Sequence, residues 1–160
     1  STKESVMIMF IIAAAGVFSY MLSSLFITQA IAEWIGTLDV NRWVLMTFVM
    51  LFLLVAGFFL PPVAVILMAA PILLPIITTA GFDPIWFAVV LTINMEIGLI
   101  SPPVGLNLYV INGIAPDISL KTILKGSLPF VACMVVAIIL LCFFPGLATW
   151  LPDIIMGVAI

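Results

Sequence analysis

The chain has 160 residues, 66% of them hydrophobic and 7% charged, and four basic against seven acidic side chains leave a net charge of −3. A soluble domain carries ~25% charged residues, and no chain of this length can bury so large an apolar excess, so soluble, disordered and collagen-like classes are excluded in favour of an integral membrane protein. Histidine is absent and cysteines number two, which removes histidine-based catalysis and nearly every zinc site; the four basic residues form no patch for nucleic acid.

The chain opens Ser-Thr-Lys-Glu and enters an apolar run at Val6, an opening expected of a piece of a larger subunit. Val6–Ala32 predicts one tilted span, too long for a signal-peptide core, and Glu33, Asp39 and Arg42 follow it. The uncharged stretch between Arg42 and Asp83 is interrupted at Leu60-Pro61-Pro62-Val63. Tandem proline ends a helix, because each ring removes an N–H and the preceding residue is pushed out of the α region. Trp43–Phe59 and Val63–Thr79 are thus predicted helices of about 17 residues, roughly 25 Å each at 1.5 Å per residue. Against a hydrocarbon core of ~30 Å they fit either two short spans or a re-entrant hairpin. The tip carries no charge or aromatic anchor, which fits burial inside the membrane better than an interfacial turn.

Asp83-Pro84 predicts a helix start, with Asp as N-cap and Pro in the first turn. That helix, Ile85 to Leu99, meets Ile100-Ser101-Pro102-Pro103-Val104-Gly105, which must unwind the backbone in mid-membrane. A second half-helix, Leu106–Asn112, completes the crossing, with Gly113 as its C-terminal cap. Gly126–Phe144 predicts the last span. Cys133 and Cys142 fall on opposite faces of it, about 900° of helical turn apart, so they cannot bridge and read as small apolar residues. Lys3, Lys121 and Lys125 collect on one face and Arg42 on the other, which makes the first face cytoplasmic. Trp34, Trp43, Trp86 and Trp150 lie near the opposite face and read as an interfacial belt.

Two broken elements in one short chain leave main-chain groups unpaired at a cost of several kcal/mol each unless something satisfies them. Secondary transporters use such discontinuous helices, with carbonyls around a cation and helix N-termini toward an anionic substrate. The stretch Val55 to Ile114, and above all the block Gly98-Leu-Ile-Ser-Pro-Pro-Val-Gly-Leu-Asn107 following Ala-Pro-Ile-Leu-Leu-Pro and Gly-Phe-Asp-Pro segments, resembles the large membrane subunit of TRAP (tripartite ATP-independent periplasmic) transporters, in its carboxyl-terminal repeat. The resemblance implies an all-α, polytopic membrane protein with a re-entrant hairpin and a discontinuous helix, one inverted repeat of an elevator-type transporter. It implies residues 1–42 as a first scaffold helix and arm, 43–82 as the hairpin, 83–115 as the broken helix, and 116–160 as a loop and last scaffold helix. The implied activity is sodium-coupled import of organic anions, C4-dicarboxylate or similar, across the bacterial inner membrane. The implied partners are the amino-terminal repeat, a small four-helix membrane subunit, a periplasmic substrate-binding protein and the lipid bilayer.

Within that frame Gly57, Gly98, Ser101 and Val104 are candidate sodium contacts, through main-chain oxygens and the Ser101 hydroxyl. The competing reading is close helix packing at the two glycines, with Ser101 capping the second half-helix. Pro61, Pro62, Asn94, Glu96, Pro102, Pro103 and Asn107 are candidates for substrate contact or gating. Glu96 is the one ionisable side chain deep in an apolar stretch, and an intramembrane carboxylate suggests a functional site; it can pair with a basic residue elsewhere in the subunit or donate a structural hydrogen bond when protonated. Asn94 and Asn107 can donate to a carboxylate or bond unwound backbone. The competing function classes are another anion/cation-coupled elevator-type transporter and a non-transporting membrane assembly subunit. An intramembrane enzyme lacks the paired catalytic groups it needs.

Overall fold

The computed structural model describes residues 2–37, 41–103 and 105–156. In chain order the helices are α1 (Thr2–Ser24), α2 (Ile27–Thr37), α3 (Arg42–Phe59), α4 (Pro62–Thr79), α5 (Pro84–Ile100), α6 (Leu106–Ile114), α7 (Leu120–Phe143) and α8 (Gly146–Met156). No strand occurs among the described residues. Helices α3, α4 and α7 are long and apolar enough to cross a membrane. The fold is an all-helical, polytopic membrane protein.

The helix ends follow local chemistry. Asn41 caps α3 by accepting from the Trp43 N–H at 2.9 Å. Leu60, forced extended by the proline after it, closes α3 at φ −118°, and Pro62 opens α4. Asp83 Oδ1 accepts from the Ile85 and Trp86 N–H groups at 2.8 Å each, starting α5 as its Asp-Pro pair predicts. Ser119 caps α7.

Four boundaries differ from the sequence reading. The run expected as one span, Val6–Ala32, folds as α1 and α2, with Phe26 between them at a φ of 55°. A Ser-Ser pair sits at the end of α1, and the Ser24 hydroxyl donates to the Met21 carbonyl at 3.0 Å, competing with the helix ladder where Ser pairs commonly kink it. Helix α6 continues to Ile114 and ends on Ala115, so Gly113 lies inside it. Helix α7 begins at Leu120, which puts Lys121 and Lys125 on its first turns. The last span ends at Phe143, one residue before the expected Phe144, and after Phe144 and Pro145 a further helix, α8, follows that the sequence reading did not name.

Helix α5 is the hub. It packs on α3, α4, α6, α7 and α8, while α1 and α2 pack on α4 and on each other. Trp86, Phe87, Val90, Leu91 and Met95 of α5 join Met46 and Leu53 of α3, Val65 and Ile77 of α4, and Leu141 of α7 in one buried cluster. Measured against water, each such side chain is worth ~1.5–3 kcal/mol on burial. Against lipid that drive largely vanishes, so close packing and interhelical hydrogen bonds decide the arrangement. Trp86, expected in the interfacial belt, is instead 2% exposed, and its Nε1–H donates to the Leu141 carbonyl at 2.7 Å. Trp34, Trp43 and Trp150 are exposed. Both cysteines are free; Cys133 is exposed and Cys142 half-buried.

Helices α3 and α5 run parallel. The Trp43 and Trp86 rings meet edge-on at 6.3 Å near their N-termini. Asn94 Nδ2 donates to the Met50 carbonyl at 3.0 Å midway along, and Gly98 lies on Gly57 near the C-termini. At the N-terminal end Phe82 stacks on Trp86 at 5.3 Å and meets Trp43 edge-on at 5.2 Å. The Arg42 guanidinium sits 5.8 Å and 5.6 Å from the Trp43 and Phe82 ring centroids, a cation–π clasp over the base of the α3–α4 pair.

A Cβ on Gly98 would stand 2.9 Å from the Gly57 carbonyl carbon, whereas one on Gly113 meets nothing within 4 Å. In the full-length permease, Gly98→Ala is therefore expected to destabilise by about 1–3 kcal/mol, the cost of overpacking. Gly113→Ala is expected to be neutral or stabilising by up to ~1 kcal/mol through helix propensity. Thermal melts of the two variants in detergent check this, and equal effects would contradict the close approach.

Candidate functional site

The α3–α4 turn and the α5–α6 break stand at one level because the same glycine crossing precedes both. Gly57 lies three residues before Leu60 and Gly98 three residues before Ser101. Both glycines are buried, and a Cβ on Gly98 would approach the Gly57 carbonyl oxygen to 3.1 Å. The last four carbonyls of a helix have no intrahelical donors and carry its partial negative charge. Two parallel helices ending at one crossing bring two such ends together. The next helices, α4 and α6, begin just beyond, and their first-turn N–H groups carry the opposite partial charge.

The break is built from three local constraints. Ser101 is extended, at φ −106° and ψ 149°, as the residue before Pro102 must be. Gly105 takes a φ of 58°, and a Cβ there would meet the Ser101 carbonyl oxygen at 2.9 Å and Leu108 Cδ1 at 2.8 Å, so only glycine fits. The Ile100 carbonyl, released by the break, accepts from the Ser127 hydroxyl of α7 at 3.2 Å, while that hydroxyl also lies 2.9 Å from the Leu124 carbonyl. Ser127 was missed by the sequence reading; its signal is a hydroxyl beside Gly126 within an apolar run.

The candidate residues divide clearly. Gly57 and Gly98 are brought together. Ser101 is 7% exposed, and its hydroxyl makes no hydrogen bond among the described residues. Val104 lies outside the described residues. Pro61, Pro102, Pro103 and Asn107 are exposed and Pro62 half-buried around the two breaks. Asn94 is buried and ties α5 to α3 through the Met50 carbonyl, so its amide Nδ2 serves packing. Glu96 is exposed on α5, while Asn94, Met95, Ile97 and Gly98 around it are buried.

The polar groups at the two breaks are main-chain carbonyls and the Ser101 hydroxyl, oxygen donors of the kind a hard cation takes. Among the described residues no three carboxylate, thiolate or imidazole groups converge. A cation at this level would be held by the main-chain oxygens at the ends of α3 and α5 with the Ser101 hydroxyl, groups whose chemistry suits sodium. The exposed Asn107 side chain, at the N-terminus of α6, suits an anion.

Residues 1–147 match the family described as the tripartite ATP-independent periplasmic transporter, DctM component. The chain is 39% identical to the C4-dicarboxylate TRAP transporter large permease protein DctM of Pseudomonas aeruginosa, over 96% of this chain and 36% of that protein. It is 38% identical to the protein of the same name from Vibrio cholerae, over 97% of this chain and 34% of that protein. It is 31% identical to the sialic acid TRAP transporter large permease protein SiaM of Vibrio cholerae, over 88% of this chain and 33% of that protein. The chain thus spans about a third of the length of the curated relatives it matches. These relatives are transporter permease components and not enzymes, and this chain belongs to the DctM component family of tripartite ATP-independent periplasmic transporters.

Proposed function

We propose that the chain is the carboxyl-terminal part of a sodium-coupled permease that imports an organic anion, a C4-dicarboxylate or similar carboxylate. The observation that carries this reading is the convergence of the α3 and α5 C-termini at the Gly57–Gly98 crossing, beside Ser101, whose hydroxyl makes no hydrogen bond among the described residues and whose oxygen is therefore accessible although the residue is only 7% exposed. Carbonyl ends gathered at one level favour a cation. The first-turn N–H groups of α6, with Asn107, favour a carboxylate beside it. Substrate class follows the names of the relatives, two of which are C4-dicarboxylate permeases. The expected partners are the rest of the large subunit, a small four-helix membrane subunit and a periplasmic substrate-binding protein, in the bacterial inner membrane.

In this reading α3 and α4 form a re-entrant hairpin. At 18 residues each, they reach about 27 Å at 1.5 Å per residue, short of a ~30 Å core even when upright. The same reading divides the chain into a transported body and a scaffold. Helix α7 is fastened to α5 near both ends, by Trp86 to the Leu141 carbonyl and by Ser127 to the Ile100 carbonyl, which supports moving it from the scaffold to the transported body. Helices α1 and α2 pack on α4, and a cavity of about 310 Å³ lined by Phe10, Ile11, Ala14, Ala15, Phe18 and Met68 lies between α1 and α4. An apolar seam slides at less cost than one pinned by hydrogen bonds.

Three measurements test the proposal. Ser101→Ala in the full-length permease is expected to lose about 1–2 kcal/mol of cation binding, raising the sodium concentration for half-maximal uptake about 5–30-fold; unchanged sodium dependence at normal expression removes Ser101 from the site. A cysteine at Val63, which is exposed next to the tip, is expected to react with a small thiol reagent in only some conformations and to be protected by sodium or substrate. Constant rapid labelling from the cytoplasm indicates a plain loop between two full spans. Cysteines beside Lys121 and beside Asp83 are expected to label from the cytoplasm and from outside respectively, and reversed labelling overturns the orientation.

A further inference from the structure

Helix α5 is buried on every side but one. Its exposed residues are Pro84, Ala88, Thr92 and Glu96, which recur at every fourth position and so form one line along the helix. This line differs in chemistry from the other exposed faces. Exposed positions of α7 carry Phe130, Val135, Val136, Ile139, Leu140 and Phe143, the residues expected against lipid tails. The α5 line carries no large apolar side chain. Ala88 and Thr92 present a low surface, and the Thr92 hydroxyl is spent on the Ala88 carbonyl of its own helix at 2.8 Å. Small residues of this kind let a second helix approach closely within a membrane. Beyond them Glu96 stands about 18 Å along the axis from Pro84 at 1.5 Å per residue, and it forms no ion pair or hydrogen bond among the described residues.

We infer that this line is the contact surface for a helix from the part of the permease outside this chain, and that this helix presents a cationic side chain to Glu96. Three observations select that occupant. A carboxylate facing hydrocarbon is too costly to persist without a partner, so lipid does not cover the line. The relatives are about three times as long as the stretch they share with this chain, so a permease of their length has further segments that can cover it. With α3, α4, α6, α7 and α8 already on α5, one more helix encloses it completely and turns the break at Ser101 into an interior feature of the whole subunit. The inference rests on the reading of the chain as one portion of a longer permease and is independent of the sodium site.

Tryptophan substitution in the full-length permease tests it, read by folded yield and by thermal melting in detergent without substrate or transport. Thr92→Trp is expected to lower both, because the indole cannot fit between close helices, while Val136→Trp on the lipid-facing side of α7 leaves both near wild type. A Thr92→Trp variant that folds and melts like wild type overturns the inference, whether the line then faces lipid or water. A near-isosteric Thr92→Cys variant provides the second reading: it is expected to resist a charged aqueous thiol reagent, and rapid labelling would mark a water-lined wall and overturn the contact. Glu96→Gln and Glu96→Ala are both expected to lower the melting temperature. A Gln variant as stable as wild type would overturn the cationic partner. These outcomes do not depend on sodium dependence, so their failure and the failure of the proposed function are separately visible.

Discussion

The approach of two main chains at Gly57 and Gly98 is the constraint on which the rest of the structure depends. With the site of one Cβ only 2.9 Å from the opposing carbonyl carbon, no other residue at position 98 allows α3 and α5 to run this close. The crossing sets the depth of both breaks, because each follows its glycine by the same short interval. It also aligns the two helices so that their carbonyl-bearing ends coincide. A local absence of side chain thereby becomes a concentration of main-chain charge.

Few polar groups lie inside this apolar chain, and those that do tie helices together. Asn94 holds α5 to α3, Trp86 holds α5 to the end of α7, and Ser127 satisfies a carbonyl that the break releases. In lipid, where apolar burial adds little between helices, such bonds and the fit of small residues carry the specificity. The clasp of Arg42, Trp43, Phe82 and Trp86 closes the opposite end of the α3–α5 pair. The two parallel helices are thus fastened at base, middle and tip.

Two groups stand apart from this economy. Ser101 is buried with its hydroxyl unused among the described residues, and Glu96 is exposed on a helix otherwise enclosed. One lies at the α5–α6 break, the other on the single exposed line of α5. The sequence reading placed Ser101 among the candidate sodium contacts and Glu96 among the candidates for substrate contact or gating, close together on either side of Gly98. Helical geometry separates them: about 100° per residue over this short interval turns Glu96 away from the packed side.

Composition and punctuation alone determined the membrane class, the paired breaks at Pro61-Pro62 and Ser101–Gly105, the Asp83 cap and the family resemblance, because these rest on local chemistry that holds in any tertiary setting. Charge counting likewise marked Glu96 as exceptional. Tertiary structure decided the rest. The bend at Leu25–Phe26 was hidden because an apolar run continues through it unchanged. The burial of Trp86, the bridge from Ser127 to Ile100 and the outward aspect of Glu96 depend on which helix lies beside which. In a chain apolar on nearly every face, hydrophobic periodicity cannot say which face is packed and which meets lipid; only the glycine crossing and the few interhelical hydrogen bonds make that choice.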